Sequence, residues 1–215
     1  MGVVGRRPRL HRPNRSLSPV HRTLLAFVQN RARWPVILGL LSAVGVLAVI
    51  MNGTDLPFST PTIEEHSGGL RILDMQLSYS SEEANQLFDA LGTDGRRAYL
   101  TLHLLPDMLF PISYSLAFAC TAAWFMVRLL PREHPLQWLS LTPLISGAAD
   151  VCENLSLVVV NLSFPNRIDW LARIASVLTM IKWGLMPIGV VLLSVMVVVW
   201  FARGRPEPNV KERSP

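Results

Sequence analysis

Residues 34–51 read WPVILGLLSAVGVLAVIM, a stretch without a single charged side chain. As a helix it would span about 27 Å at about 1.5 Å per residue, close to the hydrocarbon thickness of a bilayer. The basic segment that precedes it is too long for a signal peptide, and no clean Ala-x-Ala follows. The stretch therefore predicts a transmembrane helix that is retained as an anchor.

Three more apolar stretches predict further spans, at about 99–127, 138–162 and 174–201. The whole sequence is 50% hydrophobic and only 16% charged, whereas soluble domains carry about 25% charged residues. We therefore predict an all-α fold: a four-helix transmembrane bundle over residues 34–203, with an outer loop at 52–98.

The charged residues predict the orientation of this bundle. Residues 1–33 hold eight arginines and no acid, whereas the 52–98 loop holds eight acids and three arginines. The positive-inside rule then places both termini in the cytoplasm of a multi-pass protein of the cell membrane. Residues 1–33 are expected to be a disordered basic tail attracted to anionic lipid, and 204–215 a second cytoplasmic tail. Because the basic excess flanks the membrane, no nucleic-acid partner is expected.

The outer loop has its own structural signals. Alternating apolar residues over 73–79 predict a short extended segment after a flexible connection at 52–69. Ser80 and Glu83 have the spacing of a capping box, and Gly92 provides a helix stop. Four apolar residues between them recur on one helical face: Ala84, Leu87, Phe88 and Leu91. An amphipathic helix that rests on the membrane or caps the bundle is predicted.

The only cysteines are Cys120 and Cys152. Counted along their helices, they lie about 30 Å and about 16 Å from the outer surface, too far apart in depth for a disulfide. Thiol oxidation coupled to quinone is also disfavoured, because the chain has no Cys-x-x-Cys pair.

Polar residues inside the predicted spans are the candidate functional residues. His103 and Asp107 share one helical face at four-residue spacing, and Asp150 and Glu153 do so at three-residue spacing. At about 1.5 Å per residue, the three acids and Lys182 fall in one layer, about 12–20 Å below the outer surface. An ionised side chain facing lipid there costs about 2.5–3.5 kcal/mol, so these groups are expected to face one another. The candidate ligand-niche residues are His103, Asp107, Tyr114, Asp150, Glu153, Asn154, Lys182 and Trp183.

Several interpretations of this cluster stay open from the sequence. It can be an ion-pair network, a niche for an apolar or amphipathic molecule, a catalytic or metal site, or a path for ions or protons. Similar depths favour Asp150 as the partner of Lys182, which leaves Asp107 and Glu153 to face the niche. The ammonium of Lys182 competes with any cation, so no metal and no cofactor is predicted.

Five motifs carry a resemblance to a known family: Tyr79-Ser-Ser-Glu-Glu83, Leu91-Gly92, Gly95-Arg-Arg-Ala-Tyr99, Asp107-x-x-Phe110-Pro111-x-x-Tyr114 and Asp150-x-x-Glu153-Asn154. Over about residues 70–190 the chain resembles an uncharacterised family of small four-helix integral membrane proteins. The resemblance implies fold and topology, and no activity. In the placement of acids inside a small bundle the chain is also similar to sterol-isomerase and sigma-2-type membrane proteins, which is an analogy without a shared motif.

The function predicted from these features is non-enzymatic. We expect a membrane binding or accessory protein with a polar niche between the second, third and fourth spans. The expected partners are membrane lipids and an apolar or amphipathic small molecule, and a homo-oligomer is allowed. The alternatives are a lipid-modifying, isomerase-like enzyme with Asp107 and Glu153 as acid and base, or a bundle whose ion pairs only stabilise it.

Overall fold

The computed structural model describes residues 19–132 and 134–204. Its α-helices in this part of the chain are α1 Pro19–Arg31, α2 Trp34–Asn52, α3 Thr60–His66, α4 Ser81–Leu104, α5 Pro106–Leu129, α6 Thr142–Ser163 and α7 Asp169–Ala202. Short 3-10 segments lie at Leu73–Met75 and Pro135–Leu141.

The predicted all-α bundle with four apolar spans is confirmed. The stretches long and apolar enough to cross a membrane are Trp34–Asn52, Ser81–Leu129, Pro135–Ser163 and Asp169–Ala202. Their outer faces expose large apolar side chains, among them Val49, Val159, Val191 and Phe201. A water-soluble protein of this size rarely exposes so continuous an apolar surface, whereas lipid solvates it readily. The chain is therefore a multi-pass membrane protein.

The second span differs from the single helix predicted over 99–127. Helix α4 ends at Leu104 and α5 begins at Pro106, and Leu105 between them has φ −111° and ψ −88°. Proline has no N–H to continue the hydrogen-bond ladder and forces the preceding residue out of helical geometry. The resulting break lies between His103 and Asp107, so these residues are on two helices rather than on one.

The outer loop folds over one end of the bundle. The predicted capping box is present, because Glu83 N–H donates to Ser80 Oγ (3.1 Å) and Ser80 N–H donates to Glu83 Oε2 (2.7 Å). Gly92 adopts φ +60°, which glycine reaches without strain, and it kinks α4 where a helix stop was predicted. The four apolar residues of the first half of α4 are buried in the same hydrophobic core as the spans. The predicted helix therefore caps the bundle.

Two expectations for this loop are wrong. Residues 52–69 are not merely a flexible connection, because they include α3, whose Ile63 is fully buried. The predicted extended segment over 73–79 begins instead with the 3-10 turn Leu73–Met75, which buries Leu73 and Asp74 side by side. Alternating apolar residues are typical of a strand that belongs to a sheet and buries one face. Here the same residues pack against helices instead.

The basic tail also differs from its prediction. Disorder was expected through residue 33, but α1 occupies 19–31 and buries Val28 completely. Gln29 Nε2 donates to Gln137 Oε1 (3.3 Å), which fastens α1 to the link before α6. The remaining tail residues, 1–18 and 205–215, lie outside the described residues.

Helices α5 and α6 cross at very close range. A Cβ atom added at Gly147 of α6 would lie 2.5 Å from Ser115 Cβ and 2.9 Å from the Pro111 carbonyl oxygen of α5. Only a residue without a side chain permits this approach, as at small-residue contacts in other membrane bundles. Both cysteines are free, as predicted, with Cys120 buried and Cys152 exposed.

We predict that Gly147→Ala destabilises the protein by about 1–3 kcal/mol, because the added methyl group overpacks the α5–α6 crossing. Gly184→Ala is the matched control, since nothing lies within 4 Å of a Cβ atom there. That substitution should be neutral or stabilising by up to about 1 kcal/mol, because alanine favours helix. Thermal unfolding in detergent measures both, and equal effects would contradict the close crossing.

Candidate functional site

The predicted niche residues form one connected polar network between α4, α5, α6 and α7. All eight predicted residues belong to it through contacts given below, and Asp74 of the outer loop is a ninth member. Seven of the eight predicted residues are buried, and Trp183 is half-buried. The network has two parts that differ in how well their polar atoms are satisfied.

The first part is an ion-pair network centred on Lys182 of α7. Its Nζ lies 2.8 Å from Glu153 Oε2 and donates to Asp150 Oδ1 at 3.3 Å. The remaining carboxylate oxygens accept hydrogen bonds, Glu153 Oε1 from Thr179 Oγ1 (2.6 Å) and Asp150 Oδ2 from the Tyr114 hydroxyl (3.1 Å). Three of the four carboxylate oxygens therefore have hydrogen-bond partners, and the fourth, Glu153 Oε2, is ion-paired with the ammonium without a hydrogen bond to it. Close matching of this kind is the condition under which a buried ion pair is tolerated.

The predicted partnership of Lys182 with Asp150 is present in the structure, but Glu153 is the closer partner. The expectation that Glu153 faces a niche together with Asp107 is wrong, because Lys182 and Thr179 occupy both of its oxygens. Equal depth in neighbouring helices does not fix which way a side chain points.

The network also holds the outer loop. Lys182 Nζ and Trp183 Nε1 both donate to the Asp74 carbonyl oxygen, at 3.2 Å and 3.1 Å. Nearby, Tyr79 N–H donates to Ser176 Oγ (3.0 Å). These bonds fix the 3-10 turn against α7 and place the Asp74 side chain inside the bundle. Sequence reasoning missed Asp74, and its only signal was an acid within the apolar run 72–75.

The second part is the triad Asp74–His103–Asp107. His103 Nε2 lies 3.7 Å from Asp74 Oδ1 and 3.7 Å from Asp107 Oδ2, both beyond hydrogen-bond length. His103 Nδ1 lies 3.0 Å from the Tyr99 carbonyl oxygen. Since a carbonyl only accepts, Nδ1 carries a proton. Nε2 lies between the two carboxyl groups, where it is an acceptor in the neutral ring and a donor in the charged ring. The Tyr99 ring stacks on the imidazole at 4.1 Å and fixes its orientation.

The triad atoms that face one another are unsatisfied. Asp74 Oδ1, His103 Nε2 and Asp107 Oδ2 are buried and have no hydrogen-bond partner within the described residues. A buried polar atom left in this state costs about 1–3 kcal/mol. Asn154 Nδ2 donates to the Asp107 carbonyl oxygen (2.7 Å), which holds the start of α5 against α6. Packing and hydrogen bonds thus hold these three atoms close together, although none of the three forms a hydrogen bond with another.

The network also contains more acidic than basic side chains. Four buried carboxyl groups, on Asp74, Asp107, Asp150 and Glu153, face one ammonium and one imidazole. Burial on its own raises the pKa of the Asp74 carboxyl, but interaction with His103 outweighs it and the pKa lies below its usual value. Lys182 is ion-paired with the side chains of Asp150 and Glu153, so within the described residues the imidazole of His103 is the one basic side chain within 4 Å of the Asp74 and Asp107 carboxyl groups.

No family model, curated protein or solved structure matches this chain. The resemblance carried by the sequence motifs therefore stays a prediction. What the site does has to be inferred from its own chemistry.

We predict that Lys182→Met destabilises the protein by about 3–5 kcal/mol, because it leaves two buried carboxylates without their cation. The double variant Lys182→Met/Glu153→Gln should lose less, since one of those charges is then absent. Arg173→Met is the matched control, an exposed cation on the same helix, and should change stability little. A Lys182→Met protein as stable as the control, measured by thermal unfolding in detergent, would contradict the ion-pair network.

Proposed function

We propose that this membrane protein is a non-enzymatic binding protein whose site is the triad Asp74–His103–Asp107, and that the ligand is the size of an ion. The observation that carries this proposal is the convergence of three buried, unpaired polar atoms from three segments of the chain. Buried polar atoms are almost always paired in native proteins, so a group of three that is not paired is a candidate binding site.

The dimensions support an ion rather than a lipid at this site. One ligand atom from each triad residue lies within 4.8 Å of the other two, which leaves space for a single small atom among them. The cavity beside Tyr114 and Ser146, deeper in the bundle, has a volume of only about 10 Å³, room for about one water molecule. An amphipathic molecule, expected from the sequence, would have to bind elsewhere on the protein.

The isomerase-like alternative is less well supported. A general acid or base needs a free oxygen or nitrogen within reach of its substrate. Both oxygens of Glu153 are held by Lys182 and Thr179 inside the bundle. Of the two acids that were candidates for such chemistry, only Asp107 has an unengaged oxygen.

The proposed orientation places both termini on the cytoplasmic side of a cell membrane and the triad near the outer surface. Exposed Arg132 belongs to the link on one side of the bundle, and Arg203 of the same side donates to the Leu129 carbonyl oxygen (2.9 Å). Acids predominate at the other end, where Arg167 lies 3.5 Å from both Glu82 and Asp89. This asymmetry follows the positive-inside rule.

Cysteine labelling checks this orientation. In a background with Cys120 and Cys152 changed to alanine, Gln86→Cys and Arg132→Cys each place one thiol at an exposed position on opposite sides of the membrane. On intact cells an impermeant maleimide should label Gln86→Cys and leave Arg132→Cys unlabelled until the membrane is permeabilised. The reverse pattern would invert the orientation, and equal labelling would contradict the four-span topology.

Paired amide substitutions distinguish a binding site from a structural one. Asp107→Asn changes a buried carboxyl group whose Oδ2 has no hydrogen-bond partner, so in the presence of chelator its melting temperature should be unchanged or higher. Glu153→Gln makes the same chemical change at a fully engaged carboxylate and should cost about 1.5–3 kcal/mol, the value of a hydrogen bond to a charged group. If Asp107→Asn is destabilised as much as Glu153→Gln, Asp107 is structural and the binding proposal fails.

A further inference from the structure

We propose that the triad Asp74–His103–Asp107 is a binding site for a divalent first-row transition cation, with Zn²⁺ as the best-fitting ion. This inference rests on the proposed function, that the triad takes an ion-sized ligand, and names the chemical class of that ligand.

The distances fit a transition cation. A point equidistant from three atoms that are 3.7–4.8 Å apart lies roughly 2.1–2.4 Å from each, against about 2.0–2.2 Å for zinc bound to nitrogen or carboxylate oxygen. This point lies in the plane of the three atoms, whereas a tetrahedral ion lies out of that plane and needs ligand atoms about 3.3–3.6 Å apart. Metal binding would therefore draw the triad together from its 3.7 Å contacts and leave a fourth position open for water.

The ligand chemistry favours the same class of ion. Imidazole nitrogen suits zinc, copper, iron and nickel, whereas calcium and magnesium select oxygen ligands. The Nδ1 proton of His103 is directed to the Tyr99 carbonyl oxygen, and metal-bound histidines commonly hold the other ring N–H in this way. Nε2, the ring nitrogen that faces the two carboxyl groups, would then be the atom that binds the ion once it carries no proton.

A divalent cation suits the charge of this ligand set. With two carboxylates and a neutral imidazole as ligands it has no net formal charge, which suits a site closed off from water. A monovalent cation would leave the same set with a net negative charge and gains little from the imidazole nitrogen.

Lys182 does not exclude a metal, although the sequence predicted that its ammonium would compete with any cation for the carboxylates. Its Nζ lies at Glu153 Oε2 and Asp150 Oδ1 and donates to the backbone of Asp74, not to its carboxyl group. The ammonium thus contacts the carboxylates of Glu153 and Asp150, whereas the proposed cation would bind those of Asp74 and Asp107.

A bound cation would join three segments of the chain. Asp74 comes from the outer loop, His103 from the last turn of α4 and Asp107 from the first turn of α5. Metal binding should therefore raise the melting temperature of the folded protein, since a ligand that binds only the native state stabilises it.

The experiment uses the full-length protein in detergent, treated with chelator and desalted. Zn²⁺ is then titrated against a competing chromophoric chelator, and metal content and melting temperature are measured after a second desalting. We expect about one Zn²⁺ per chain and a rise in melting temperature, and visible absorption bands of a low-symmetry site when Co²⁺ replaces zinc. Mg²⁺ and Ca²⁺ at the same concentration should give neither the bands nor the stabilisation.

Single substitutions locate the site. His103→Gln, Asp74→Asn and Asp107→Asn should each weaken Zn²⁺ binding at least tenfold and abolish the rise in melting temperature. His66→Gln is the matched control, because it removes an exposed histidine of the same outer loop, and it should bind like the unchanged protein. If His103→Gln does not fold, the two amide variants give the answer.

Two results would overturn the metal site. One is a protein that retains no Zn²⁺ and no Co²⁺ after desalting. The other is retention that survives all three triad substitutions, which would assign the bound ion to the surface. In either case the stability of Asp107→Asn, measured in chelator, still decides separately whether the triad is a binding site for a different small ligand.

Discussion

The ion pair of Lys182 with Glu153 and Asp150 is the interaction on which the rest of the structure depends. A lysine on a membrane-spanning helix is costly unless its charge and its protons are matched inside the bundle. The two acids of α6 and the hydroxyls of Tyr114 and Thr179 provide that match. Because the match requires particular atoms at about 3 Å, it fixes how α5, α6 and α7 are rotated about their axes. Apolar packing alone would tolerate several rotations, because an apolar helix face is about as stable against lipid tails as against the leucines of a neighbouring helix.

The same lysine extends this order beyond the membrane-spanning helices. Its third contact, with the Asp74 carbonyl oxygen, is shared with Trp183 and holds the outer loop over the bundle. The loop then adds its own apolar core, with Ile63 and Phe88 buried against the spans. The cap is consequently part of the folded domain, and the side chain of Asp74 reaches a position that a mobile loop could not hold. Pro106 contributes from the other side, because the break before it sets His103 at a helix end beside this turn.

How far the sequence predicts this arrangement depends on the range of the interaction. The spans, the Ser80–Glu83 capping box and the Gly92 kink follow from residues a few positions apart, and all were predicted. The membership of His103 and Asp107 in the polar network followed from the cost of charge in lipid. Asp74 could not be found in this way, because it lies outside the spans and reaches the network through contacts with residues more than a hundred positions later. Glu153 was expected to face the niche with Asp107 but is the closer partner of Lys182, since depth along a helix axis does not show which of two acids on one face a lysine reaches.

The contrast between the two parts of the network is itself informative about function. Each carboxylate oxygen around Lys182 lies within 3.3 Å of a donor group, whereas Asp74 Oδ1, His103 Nε2 and Asp107 Oδ2 have no hydrogen-bond partner within the described residues. A hydroxyl or amide donor in the triad would relieve the cost, as Thr179 and Tyr114 do nearby, and would have been a small change in sequence. Proteins rarely keep such a cost without a compensating ligand, since each unsatisfied group subtracts from a small net stability. A cation requires converging acceptors with no competing donor, and the triad meets this requirement when His103 Nε2 carries no proton.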